Sequence, residues 1–106
     1  MDSKYTVSCT GDVVKVDLCG RLDATNAEGL QMELKKFCGQ KITKLVFFAK
    51  DLEYISSAGL RVIIFAKQKI GVDARLFLIG AQDTILSVVK MSGLDNFVAI
   101  QETFSE

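Results

Sequence analysis

YISSAGLRVII (Tyr54–Ile64) decides the fold, because the chain changes its hydrophobic period inside this stretch. Upstream, KLVFFA (Lys44–Ala49) is a continuous apolar run, the mark of a strand covered on both faces. Downstream, Leu60, Ile63 and Ile64, with the stem of Lys67, recur at helical spacing, and Gly71 stands where such a helix closes. A strand therefore hands over to a helix across Ser56, Ser57, Ala58 and Gly59. Ser56 is placed as an N-cap, since its hydroxyl can accept from a backbone N–H two or three residues on. Ser57 then falls in the first helical turn, more exposed. Glycine inside a helix costs up to about 1 kcal/mol relative to alanine, so Gly59 marks a close approach. Ala58 keeps the bulk low beside it. Two readings stay open: the hydroxyls cap a helix, or one of them is modified or touched by a partner.

Working outward, the same alternation of elements continues. YTVSC (Tyr5–Cys9) puts Tyr5, Val7 and Cys9 on one face, TGD turns, and VVKVDLCG alternates Val14, Val16 and Leu18 against Lys15 and Asp17, which predicts a β-hairpin. LDATNAEGLQMELKKFCG aligns Ala27, Leu30, Leu34 and Phe37 on one helical face, with Thr25 or Asn26 as N-cap, Glu28 in the first turn and Gly39 at the end. ARLFLIG predicts a second buried strand. AQDTILSVVKMSGL predicts a third helix, with Ile85, Leu86, Val89 and Met91 on its apolar side and Gly93 closing it. FVAI predicts a short last strand and QETFSE the start of a terminal helix. The order is β-β-α-β-α-β-α-β. Helical crossovers demand parallel, right-handed connections. An α/β domain follows, a mixed sheet of about five strands with helices mainly on one side.

The 106 residues suit one domain spanning 1–106, and thirteen basic residues balance thirteen acidic ones. The Lys and Arg are scattered, which argues against nucleic acid or an anionic membrane as partner. No apolar stretch approaches the roughly 18–20 residues that span a bilayer. The start, MDSKYTVSC, lacks the pattern of a signal peptide, so a cytoplasmic protein is expected. Its three cysteines (Cys9, Cys19, Cys38) have no C-x-x-C spacing and are expected as reduced thiols. With no histidine, neither a Ser-His-Asp triad, nor a Cys-His pair, nor an ordinary zinc site can be assembled. No glycine-rich phosphate loop occurs. Neither a cofactor nor a metal is expected, and no catalytic residue is assigned. A small neutral domain without a long apolar surface helix is expected to be a monomer.

Three further stretches have a plain reading. In GRLDATNAEGL, Gly20 ends a strand and Asp23 lies in the loop before the first helix, either favourable beside its N-terminus or offered to a partner's basic residue. KMSGL (Lys90–Leu94) reads as a helix C-terminus with a glycine cap. Asp51 and Glu53 read as carboxylates of an exposed loop, without a catalytic arrangement.

GRLD (Gly20–Asp23), SSAGL (Ser56–Leu60) after an apolar strand, and MSGL (Met91–Leu94), in this order and spacing, resemble the anti-sigma factor antagonist family, the small stand-alone STAS domains of bacteria. The resemblance covers essentially the whole chain. It implies a partner-switching regulator of transcription, not an enzyme. In that family a serine is phosphorylated by a GHKL-type protein kinase that is also the anti-sigma factor, and a PP2C-type phosphatase reverses the modification. The unphosphorylated antagonist binds the anti-sigma factor and frees the sigma factor. Carried over by position, the phosphorylated residue is Ser57, with Ser56 the second choice. Asp23, Ser56, Ala58, Gly59 and Arg61 would form the partner-binding surface.

The chain departs from the family pattern at two positions. Ser56 replaces the aspartate before the phosphorylated serine, and Phe48 occupies another acidic position. Arg61 stands where the family often has glycine, four residues after Ser57 on one helical side, placed to pair with a phosphate there. The loss of the aspartate keeps an alternative open, a non-phosphorylated STAS subunit docking on an ABC-transporter ATPase. A nucleotide-binding or nucleotide-hydrolysing enzyme is the third reading, weakened by the missing base and phosphate loop.

Overall fold

The expected hairpin forms. In the computed structural model, which describes residues 4–70 and 74–104, β1 (Lys4–Thr10) and β2 (Val13–Leu22) pair antiparallel around Gly11 at φ +62°. The chain continues through α1 (Ala27–Lys35), β3 (Lys44–Ile55), α2 (Ser57–Lys69), β4 (Arg75–Ile79), α3 (Asp83–Met91) and β5 (Ala99–Gln101). The five strands lie in sequence order, with β2, β3, β4 and β5 all parallel. Each parallel step reaches the next neighbour through a helix. Crossovers of one hand in one direction put their helices on one face of the sheet.

Burial confirms that layering. Leu30 and Leu34 of α1, Val62, Ile63 and Ala66 of α2, and Ile85 and Val89 of α3 share one core with Val14, Val16, Leu45 and Phe47 of the strands. On the other face a smaller cluster, Val46, Phe77 and Ile79, is covered by Phe104 rather than by a helix. KLVFFA is thus covered on both sides, as its composition requires.

Strand β3 is longer than the apolar run that announces it. Its core-facing residues are Leu45, Phe47, Ala49, Leu52 and Ile55, so the spacing widens from two to three. The register explains why: Asp17 pairs with Phe48 but Cys19 with Asp51, and Gly20 pairs with Leu52 but Arg21 with Tyr54. At each step β3 carries one residue more than β2, which is a bulge. Asp51 and Glu53 therefore lie on a strand, not in the loop expected for them. Gly20 does not end β2 either. It sits within the strand at φ +77°, beside the second irregularity, where a side chain would be strained.

Other boundaries differ locally. Helix α1 ends at Lys35, not at Gly39. Three successive i→i−3 bonds tighten the chain, the last from Cys38 N–H to the Lys35 carbonyl at 3.1 Å, and leave Phe37 half-buried outside the helix. Helix α2 buries Gly59, Val62, Ile63 and Ala66, while Ile64, expected in the core, is 38% exposed. Met91 at the end of α3 is 87% exposed, so only Ile85 and Val89 are fully buried there and Leu86 lies at the margin. A short 3-10 helix (Leu94–Asn96) follows Gly93, and β5 begins two residues later than FVAI suggests. Glu102–Phe104 is not helical, and the expected helix beyond it, like the close at Gly71, lies outside the described residues. Cys9, Cys19 and Cys38 are unbridged. Among the described residues, no helix is long and apolar enough to cross a membrane.

Candidate functional site

Parallel pairing of β2 with β3 brings GRLD and SSAGL to one edge of the sheet. Arg21 faces Tyr54 and Leu22 faces Ile55 in register, and the Ser56 N–H then donates to the Leu22 carbonyl oxygen at 2.9 Å. The carboxyl ends of parallel strands are where open α/β sheets place their sites, because helix N-termini meet loops there.

The two serines are not equivalent. Ser56 has extended backbone (φ −94°, ψ 176°) and its Oγ accepts from the Gly59 N–H at 3.3 Å, so the N-cap expected from sequence is present. Ser56 is half-buried. Ser57 is the first residue of α2, exposed, and its hydroxyl has no hydrogen-bond partner among the described residues. The capping and partner readings thus divide between the two hydroxyls. One is engaged, the other available.

Gly59 marks a close approach, but the approaching group is the chain's own. A Cβ there would lie 2.7 Å from the Leu22 carbonyl oxygen and 2.8 Å from Ile55 Cγ1. The residue is buried and offers no docking surface, a correction to its expected place on the partner-binding face. Ala58 is half-buried and Arg61 exposed. Both border a shallow groove between α2 and α1, with Ala24, Ala27 and Glu28 on the facing side. Arg61 makes no ion pair with a described residue.

Asp23 is turned towards its own loop. Its Oδ1 accepts from the Thr25 hydroxyl at 2.6 Å and the Thr25 N–H at 3.0 Å, and its Oδ2 accepts from Arg21 Nε at 3.3 Å. Its backbone carbonyl accepts the Ala27 N–H at 2.8 Å. Only this last bond reaches α1, and the side-chain cap expected of Thr25 or Asn26 does not form. Asn26 occupies the N-cap position but caps nothing, because its side chain braces Asp23 N–H and the Arg21 carbonyl instead. The Thr25 hydroxyl above all, then the Thr25 N–H and more weakly the Arg21 guanidinium, hold the Asp23 carboxyl below the usual carboxylate range.

Two residues that no motif singled out complete this edge. The Arg21 guanidinium lies over the Tyr54 ring, 4.2 Å from its centroid, on the sheet face opposite the helices. Their contact depends on the β2/β3 register, which bulges set, so neither residue alone signals it. The third motif stretch lies elsewhere. Gly93 adopts φ +78°, Ser92 Oγ donates to the Val89 carbonyl at 2.8 Å, and Leu94 is buried, as a helix C-terminus requires. Its groove is shared with Ile64 on α2 and with Phe97 after the 3-10 helix, away from Ser57. Phe48 packs its ring 6.3 Å from that of Phe104, an apolar contact where the resembling pattern has an acid. No group of three or more His, Cys, Asp or Glu able to hold a metal occurs among the described residues.

The family model described as STAS domain matches residues 4–106. A candidate anti-sigma factor antagonist of Bordetella bronchiseptica, BtrV, is 36% identical over 91 residues, covering 85% of this chain and 78% of that protein. The crystal structure of an anti-sigma factor antagonist from Mycobacterium paratuberculosis superposes with a TM-score of 0.83 at 18% identity, covering 97% of this chain and 88% of that one. The Bacillus cell fate determinant SpoIIAA in its phosphorylated form superposes with a TM-score of 0.74 at 20% identity, covering 92% and 90%. At those identities the two structures show the shared fold.

Proposed function

From the premise that this chain belongs to the STAS domain family, we propose that it is an anti-sigma factor antagonist switched by phosphorylation of Ser57. The observation that carries the reading is the division of labour between the serines: Ser56 Oγ caps α2 while Ser57 stands exposed at its first residue. The resemblance of the chain to BtrV supports the same class. The partner is an anti-sigma factor that is also a GHKL-type serine kinase. Unphosphorylated, the antagonist binds it through Ser57, Ala58, Arg61 and the braced Asp23 loop. The sigma factor is then freed.

Phosphorylation transfers the terminal phosphoryl group of a nucleoside triphosphate. The Ser57 Oγ–P bond forms as the bond from that phosphorus to the departing diphosphate breaks, and the hydroxyl proton passes to a base on the kinase. A PP2C-type phosphatase returns the hydroxyl by hydrolysis. The group adds about −1.5 to −2 charges. At a helix N-terminus the fold tolerates an anion, because unpaired N–H groups and the helix dipole favour it. In a docked, partly dry interface the same charge is poorly solvated. Partner affinity falls while the domain stays folded. The switch operates as a cytoplasmic monomer.

The test is capture by the cognate anti-sigma factor, with and without ATP. Ser57→Ala should bind and remain unmodified, and Ser57→Glu should lose about 100-fold in affinity, a typical size for one buried, unpaired charge. If Ser57→Glu binds as tightly as the parent, the switch is wrong. Capture by an ABC-transporter ATPase with no added phosphate would then favour a transporter subunit, the reading kept open by Ser56.

A further inference from the structure

The edge that carries Ser57 continues onto the open face of the sheet through Arg21 and Tyr54. These two residues are paired in register on adjacent parallel strands. Arg21 is held at both sides, with Nε on the Asp23 carboxylate at 3.3 Å and its guanidinium 4.2 Å from the Tyr54 ring centroid. Tyr54 is nevertheless 42% exposed. Among the described residues the other exposed large apolar side chains are Met32, Ile64, Met91 and Phe97, none of them as near in the chain to Ser56 and Ser57. Tyr54 alone directly precedes the Ile55–Ser56 step into α2.

We propose that Tyr54 is an anchor for the anti-sigma factor, receiving an apolar side chain of that partner on its exposed ring, and that Arg21 is the positioning residue holding the ring. This deepens the reading of the chain as an anti-sigma factor antagonist and rests on it. Binding energy at protein interfaces concentrates in a few aromatic and arginine residues. An aromatic ring already fixed by a stacked guanidinium loses little freedom on docking, so more of its contact energy reaches the affinity. The location also couples docking to the switch. Tyr54 lies three positions before Ser57 in the chain, so a partner that covers the ring is brought close to the hydroxyl that is modified. The apolar groove of Ile64 and Phe97 has no such connection to the switch.

The chain has two tyrosines, so labelling with 3-fluorotyrosine yields two 19F resonances, assigned with Tyr5→Phe. Saturation with the purified anti-sigma factor, without ATP, should shift or broaden the Tyr54 signal and leave that of Tyr5 in place. Tyr54→Ala should weaken capture about 30-fold or more, with Tyr54→Phe within about 3-fold. Arg21→Ala should weaken capture about 5-fold in the parent and little in the Tyr54→Ala background, the non-additivity expected of a positioning residue. Melting curves guard against unfolding. A complex that forms with the Tyr54 signal unmoved, or Tyr54→Ala binding as tightly as the parent, overturns this proposal alone. If the parent forms no complex, the antagonist reading falls and the anchor with it.

Discussion

The Ser56 N–H donates to the Leu22 carbonyl oxygen at 2.9 Å, and the space above that same oxygen is reserved for Gly59, whose missing Cβ would sit 2.7 Å away. One carbonyl group therefore sets both the entry of α2 and its distance from β2. Leu22 immediately precedes Asp23, and Ser56 immediately precedes Ser57. The two loops of the candidate site are thus joined through main chain, which bends less readily than a pair of side chains.

Gly59→Ala should destabilise the domain. The added methyl improves helix propensity by about 1 kcal/mol. It also meets a backbone oxygen and the Ile55 side chain at distances real Cβ atoms do not tolerate. Overpacking of this kind costs about 1–3 kcal/mol, so the net change should lower the urea midpoint at unchanged slope. A variant as stable as the parent, or more so, would show that α2 is free to shift outward.

The element order was legible because period and glycine placement agree along most of the chain, whereas the order of the strands within the sheet comes only from the fold. Strand β3 shows where that legibility ends. Up to Ala49 its core residues alternate, but two bulges move the next ones to Leu52 and Ile55, a spacing that imitates a loop or a helix. The same bulges bring Arg21 opposite Tyr54, which is why that pair escapes a reading of either stretch alone. Ser56 as cap and Ser57 as its exposed neighbour were readable, since capping depends on local spacing. Gly59 marks a close approach, but of the Leu22 carbonyl thirty-seven positions earlier and not of the partner surface expected there, a contact that only the fold creates.

Phosphate should be found on Ser57 and not on Ser56. The Ser56 hydroxyl is half-buried and accepts from Gly59 N–H, so reaching it would open the first turn of α2. Incubation with the kinase partner and ATP, followed by intact mass and fragmentation, should place a single added phosphoryl on Ser57. Ser56→Ala should still be phosphorylated while losing about 1 kcal/mol of stability with its cap. Modification of Ser56 in the parent would mean that α2 frays at its start and that the two serines exchange roles.

Asp23 predicts an acid-dependent loss of stability. Its carboxyl is held below the ordinary range in the folded state, first by the Thr25 hydroxyl and then by the Thr25 N–H. A carboxyl lowered on folding stabilises fully above its unfolded value, near 3.9, and that contribution disappears as pH falls through the lower folded value. Melting temperature followed from pH 6 downwards should therefore show Asp23→Ala less stable than the parent near neutrality. The two curves should converge under acid. A gap that stays constant through the acid range would mean that the carboxylate charge contributes nothing to holding the loop.

Arg61 should hold the phosphate once it is present. Ser57 and Arg61 stand four residues apart on α2, hence on one side of the helix, and both are exposed. The second ionisation of a phosphoserine lies near 6, and a guanidinium beside it favours the dianion. Titration of the phosphorylated protein by 31P resonance should show that ionisation rising by about half a unit in Arg61→Ala, roughly the worth of an exposed charge pair. The phosphatase should act faster on the variant, because the phosphoryl group is no longer held against the helix. Equal ionisation and equal dephosphorylation in parent and variant would leave Arg61 with no part in retaining the phosphate and shift attention to its place beside Glu28 on the groove between the two helices.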